Sequence, residues 1–207
     1  MAAFSQGTRR GLFVLSPFEI KRFADYPMTV IGFHGTSEDV AESVFSGKSE
    51  LKISKNAYDW LGHGAYFWEN APERAWQWAD TWAKKKGKKP AVVGAIIQIG
   101  HCLNLMDKSS NAALSTTHSA LDNLFSSKGR ISPTNNGKLH NLDCLVINIV
   151  NRISDKRGNP YDTVRAAFIE GSPVFPGSTI MDDTHIQICV RDPKKSIVAY
   201  FRPRTVS

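Results

Sequence analysis

What most constrains this chain is where its two kinds of hydrophobic periodicity fall. Short, β-branched or alternating runs occupy both ends of it: Met28 to Phe33 and Ala65 to Phe67 early, and Val164 to Ile169, Thr184 to Arg191 and Ser196 to Phe201 late. Ala91 to Ile99 adds a central strand. Between them lie longer stretches whose apolar residues recur at helical spacing. Ser37 suits an N-cap for a helix over Glu38 to Phe45, with Val40, Ala41, Val44 and Phe45 on one face. Asn70 followed by Pro72 opens a second helix, with Ala71, Ala75, Trp78, Ala79 and Trp82 as a stripe expected mainly in the core. The indoles of Trp76, Trp78 and Trp82 could stack nucleobases, but their helical setting favours core packing. Gly87 and Pro90 end it within the run Lys84 to Lys89. Helices are also expected over Asn111 to Phe125 and Leu142 to Ile153, separated by a long polar loop at residues 126–141. Strands gathered at the ends with helices between them give an α+β chain, not the regular alternation of a doubly wound sheet. No Gly-x-Gly-x-x-Gly follows a strand, so a Rossmann dinucleotide site is not expected.

At 207 residues the chain suits a single domain over 1–207. Residues 1–27 read as an N-terminal extension with a short helix or turn around Pro17 to Phe23. The formal net charge of +7 favours a polyanionic partner such as a nucleic acid or a dinucleotide. The lysine run reads first as a solvated helix end; the alternative is a surface, shared with Arg130, Lys138, Lys156 and Arg157, that tracks phosphates. Cys102, Cys144 and Cys189 lie scattered in apolar runs, which suits buried hydrophobes better than disulfides or zinc ligands. No metal is expected. Gly11 to Leu15 is too short for a secretory h-region, and no run approaches a membrane span, so a cytoplasmic protein with no membrane partner is expected.

Three segments stand out for chemistry: His34-Gly35-Thr36 after a strand, Gly62-His63-Gly64-Ala65-Tyr66-Phe67 about thirty residues on, and the late strand around Gln187. Together they resemble the NAD-binding half of the ADP-ribosyltransferases, in the diphtheria-toxin and poly(ADP-ribose) polymerase group with its His, Tyr and Glu triad. The resemblance spans Met28 to Pro203 and is carried by these short motifs, with Tyr58 to Glu69 the best local match. It implies a split mixed or antiparallel sheet with flanking helices, and NAD as co-substrate. It assigns catalytic roles to His34 and Tyr66, and NAD contacts to His34, Gly35, Thr36, Tyr58, Gly64 and Tyr66. His34, at a strand end, would bond a ribose hydroxyl, and Gly35 would let the ligand approach the backbone. Tyr66 would stack on the nicotinamide ring, presented by a tight turn that Gly62 and Gly64 permit, with Tyr58 as a second wall. His63 receives no role, and His101, His118 and His140 read as ordinary surface or packed histidines.

Thirteen residues before Tyr200, the family's third position falls on Gln187, where the pattern has glutamate. Gln187 keeps a hydrogen bond to the ribose but carries no charge and cannot act as a general base. Transfer of a single ADP-ribose without chain elongation follows, and Glu170, at the end of a predicted strand, becomes the candidate for activating the nucleophile. His185 shares the strand face of Gln187. The expected function is therefore mono-ADP-ribosylation of a macromolecule, with RNA or DNA placed ahead of protein. A toxin or defence effector of this kind would have an antitoxin or immunity protein as partner. The alternatives are an NAD glycohydrolase, which transfers ADP-ribose only to water, and a non-catalytic NAD- or ADP-ribose-binding module.

Overall fold

A computed structural model describes residues 28–137 and 139–204. The turn or helix expected around Pro17 to Phe23, and Lys138, therefore lie outside the described residues. The chain is α+β: a seven-stranded mixed sheet with helices on both faces. In chain order the elements are β1 (Thr29–Ser37), α1 (Glu38–Phe45), β2 (Ala65–Glu69), α2 (Pro72–Lys85), β3 (Pro90–Gln98), β4 (Cys102–Asn104), α3 (Lys108–Ser127), α4 (Asn141–Lys156), β5 (Thr163–Phe168), β6 (His185–Val190), α5 (Pro193–Ser196) and β7 (Ile197–Phe201). Their order across the sheet is β4-β5-β6-β2-β1-β3-β7. Every neighbouring pair is antiparallel except β4 and β5.

Alternation along the strands sorts two cores. On one face Val30, Phe67, Val93, Ala95, Ile97, Ile188 and Val190 meet Ala41 and Val44 of α1. This core crosses the whole middle of the sheet, and each fully buried aliphatic in it contributes about 1.5–3 kcal/mol. On the other face Val164, Ala166 and Cys189 meet Ile147 and Val150 of α4, but only over the half of the sheet built from β5 and β6. The β1–β3 half of that face is covered separately by α2 through Ala75, Ala79 and Ala83, all fully buried.

The helical stripe of α2 is thus narrower than its sequence implies. Its core face is alanine, because only a small side chain lets the helix lie close against β1. Trp76 and Trp78 are exposed and Trp82 is half-buried, so the expectation that these indoles pack in the core is corrected. Two further elements differ from the sequence reading. Cys102–Asn104 forms a short edge strand parallel to β5, and Pro193–Ser196 forms one helical turn in which the Asp192 carboxylate accepts from Lys194 N. No helix among the described residues is long and apolar enough to cross a membrane.

Candidate functional site

The site forms where the sheet parts. β1 is paired with β3 along its whole length, from Thr29↔Gln98 to Ser37↔Pro90. Against β2 it is paired only at Gly32↔Glu69 and Phe33↔Trp68. β2 meanwhile stays bound to β6 from Ala65↔Val190 to Trp68↔Gln187. Beyond Phe33 and Trp68 the two strands therefore separate, and a cavity of about 1170 Å³ opens between them, bounded by α2 and by the loop at 52–60. That volume exceeds the usual range for drug-sized ligands.

His34 stands at the parting point, in the middle of β1 and not at a strand end as its sequence suggested. Its ring lies on the Phe67 side, 5.7 Å between centroids, while Tyr66 belongs to the opposite face beside Cys189. The two meet because His34 Nδ1 donates across the gap to the Tyr66 carbonyl at 2.7 Å. That bond fixes the tautomer and leaves Nε2 as an acceptor. Burial holds the His34 pKa below its ordinary value, so the ring is neutral at physiological pH.

Tyr66 is anchored through its hydroxyl, which donates to Gly62 O at 2.6 Å and accepts from Leu61 N at 2.8 Å. Gly62 makes this loop possible with φ +77, where Asn148 and Ile147 leave no room for a Cβ. Burial pushes the phenol pKa far up, so Tyr66 offers a ring face and not a base. Gly64 is needed for packing: a Cβ there would strike Cys189 Sγ and Val190 O.

Gln187 and Glu170 reach the same cavity from β6 and from the loop just past β5. His185 lies between them, its side chain buried. Its Nδ1 donates to Asp183 O at 2.7 Å and stands 4.0 Å from Glu170 Oε2. In the neutral imidazole Nε2 is then an acceptor, and takes a hydrogen from Gln187 Nε2 at 2.9 Å. The amide of Gln187 is thereby oriented, with its carbonyl oxygen left for another partner. Glu170 is two residues beyond the end of β5 and is held by Arg74 of α2 at 2.9 Å. Arg74 also approaches Asp183 at 3.4 Å.

His34, Gly35, Tyr58, Gly64, Tyr66, Glu170 and Gln187 all line this cavity. Tyr58 stands on its rim, 45% exposed. Thr36 does not take part: it is buried further along β1, away from the cavity lining. Gly35 has a different reason from the expected one. A Cβ there would run into the Ala75 carbonyl, with Trp78 Cε3 at 3.1 Å and Ala79 Cβ at 3.2 Å. The glycine admits α2, whatever it also admits on the cavity side.

Sequence reading missed Arg74, Trp68 and Trp60, which also line the cavity, as do Trp78 and Trp82 of α2. Trp68 had a signal available, since it follows Tyr66 at period two and must share its face. Arg74 had none, because its place depends on how α2 crosses the split. His140, read as ordinary, lines the cavity as well, its ring centre 4.3 Å from that of Trp60 and tilted 46° to it. Trp60, His140 and Phe168 form the wall to a second, apolar cavity of about 420 Å³ beneath α3 and α4. No protein-family model, curated protein or solved structure compared with this chain matches it.

Proposed function

We propose that this protein is a mono-ADP-ribosyltransferase with an ADP-ribosyltransferase-type split sheet, using NAD as co-substrate and a macromolecule as acceptor. The observation that carries the reading is the parting of β1 from β2, with the acceptor nitrogen of His34, the ring of Tyr66 and the amide of Gln187 opening on one cavity. Each then has a task. His34 Nε2 and the Gln187 carbonyl oxygen accept hydrogen bonds from ribose hydroxyls and hold the sugar. Tyr66 stacks on the nicotinamide ring, a contact of about 0.5–1.5 kcal/mol beyond burial. As the ribose C1′–N bond breaks, its electron pair leaves on nicotinamide, which departs neutral. The sugar becomes oxocarbenium-like, and binding that state better than intact NAD is what accelerates the step. The acceptor's lone pair forms the new bond to C1′ and its proton is released.

The charge that Gln187 lacks has a source nearby. Glu170 sits beyond His185 on the same wall, oriented by Arg74, and supplies a carboxylate facing the developing cation. An amide at position 187 also gives no base for a second sugar hydroxyl, which fits single transfer without elongation. The same amide favours, as the second reading, a module that binds NAD or ADP-ribose without turnover. A toxin or defence role, with a neutralising partner protein, belongs to this proposal as its biological setting.

The test is incubation of the purified protein with NAD labelled on its adenylate part, in the presence of cell protein, RNA or DNA, with free nicotinamide quantified. Gln187→Ala is expected to slow nicotinamide release by about 10- to 1000-fold, as loss of one preorganised polar group at a reacting centre does. Gln187→Glu is expected to retain it, and Tyr66→Ala to abolish transfer. Nicotinamide released with label on no macromolecule would make the protein a glycohydrolase. NAD bound but never cleaved would leave the binding module.

A further inference from the structure

The cavity does not end at the cleft. From Trp68, whose strand neighbour is Gln187, a row of indoles runs outward along α2. Trp68 and Trp78 lie 6.1 Å apart, and Trp78 and Trp82 lie 5.7 Å apart with their planes only 14° from parallel. Lys86 closes the row, its Nζ 4.6 Å from the Trp82 ring centre. Trp78 is 43% exposed although its neighbours Ala75 and Ala79 are fully buried. Large aromatics turned outward on an otherwise well-packed helix mark a binding surface more than a packing accident.

The charge around the row is specific. Lys84 pairs with Asp80, Lys88 with Asp39 and Lys89 with Glu38, so much of the lysine run is spent within the fold. Lys85 takes part in no ion pair among the described residues, and Lys86 lies on the aromatic row. The row therefore presents flat π faces followed by cations. A ligand that matches it has planar rings in succession and an anionic backbone. An acidic peptide offers the charge without the rings, and duplex nucleic acid keeps its rings stacked inside.

We propose that the Trp78–Trp82 row is a docking surface for single-stranded nucleic acid, and that this strand is the acceptor. The acceptor role rests on the transferase reading given above; the docking does not. A base that takes the place of the Lys86 ammonium over the Trp82 ring, the lysine turning to a phosphate, leaves its neighbour on Trp78, next to the Trp68–Gln187 end of the cavity where C1′ would be exposed. There a base nitrogen donates its lone pair to C1′ as the bond to nicotinamide breaks. The broken bond's electron pair leaves on nicotinamide, and one proton passes from the base to solvent.

The full-length protein is titrated, without NAD, into fluorescently labelled single-stranded RNA and DNA of about 12 nucleotides, a length within the usual site size of such grooves. Binding is expected to weaken as salt rises from about 50 to 200 mM. Trp82→Ala is expected to weaken it about tenfold or more, and Trp82→Phe to recover most of the loss. Lys86→Glu leaves the indoles in place and is expected to weaken binding too. NAD affinity of Lys86→Glu, whose side chain lies outside the cavity lining, should be unchanged. Wild-type protein that binds neither oligonucleotide, or binding indifferent to Trp82→Ala and Lys86→Glu, would overturn the proposal. The same oligonucleotides are then offered with labelled NAD. Label on the strand, lost in Lys86→Glu while nicotinamide release persists, supports the acceptor role. Label on protein alone, or nicotinamide without label on the strand, overturns it. A protein that neither binds nor cleaves NAD sinks the transferase reading, and the titration without NAD still decides the docking surface.

Discussion

His34 is the residue whose environment says most about the site. It is bonded through Nδ1 to a backbone carbonyl, and burial lowers its pKa below the ordinary histidine value. The consequence for stability has a definite sign. The unfolded chain binds a proton near pH 6.5, while the native ring resists it, so the unfolded state takes up more protons as pH falls. His34 therefore contributes fully above about pH 6.5, loses that contribution as pH falls below it, and the loss levels off once the native ring itself takes up a proton. Urea unfolding between neutral and mildly acidic pH should show this slope in the wild type, and a shallower one in His34→Gln. An identical slope in both proteins would mean that the ring is not held neutral. The residues legible in sequence at this scale were those whose role comes from local pattern. The strand placed His34, the Gly62 turn placed Tyr66, and the spacing from Tyr200 placed Gln187. His185 and Glu170 were also named from the sequence, but their contact was not legible, because they meet only through the pairing of Phe168 with His185.

At the scale of elements, α2 decides the shape of the cleft. Its length and boundaries follow from Pro72, Gly87 and the lysines, and the sequence placed them well. Its orientation does not follow from a hydrophobic stripe, since tryptophan and alanine are both apolar and periodicity alone cannot say which of them faces inward. Gly35 settles it. Only a residue without a Cβ lets the Ala75 carbonyl and the Ala79 methyl approach β1, which turns Trp78 and Trp82 to the cavity. Gly35→Ala is thus expected to destabilise the protein by about 1–3 kcal/mol, the range for overpacking at a tight interface. It should also weaken NAD binding, because β1 or α2 must shift at the cavity wall. Urea denaturation together with a binding titration would check both. A variant as stable as the wild type would show that α2 is free to move off β1.

The whole molecule is two half-sheets sharing one core and separated on one face. β1, β3 and β7 carry α1 and α2; β2, β4, β5 and β6 carry α3 and α4. The core under α1 runs unbroken across both halves, whereas on the opposite face α2 and α4 cover their halves separately. An α+β sheet was readable from the distribution of strand-like runs, but the order β4-β5-β6-β2-β1-β3-β7 was not, because register between distant strands leaves no local trace. Nor was the three-residue β4, too short to show a period. The split makes a prediction that belongs to the molecule as a whole. Near the cavity the halves are joined by Gly32↔Glu69, Phe33↔Trp68, the Asn70 N to Ile31 O bond and the His34 to Tyr66 bond. A ligand that touches His34 on one half and Tyr66 and Gln187 on the other must resist their separation. At a concentration about a hundredfold above its Kd, NAD should stabilise the fold by about 2.7 kcal/mol. For a chain of this size that is a rise in Tm of roughly 5–10 °C. His34→Ala and Tyr66→Ala should each lose most of the rise, since each removes the grip on one half. A thermal melt with saturating NAD and no shift in the wild type would mean that the cleft does not hold the dinucleotide across both half-sheets, and the transferase reading would fall with it.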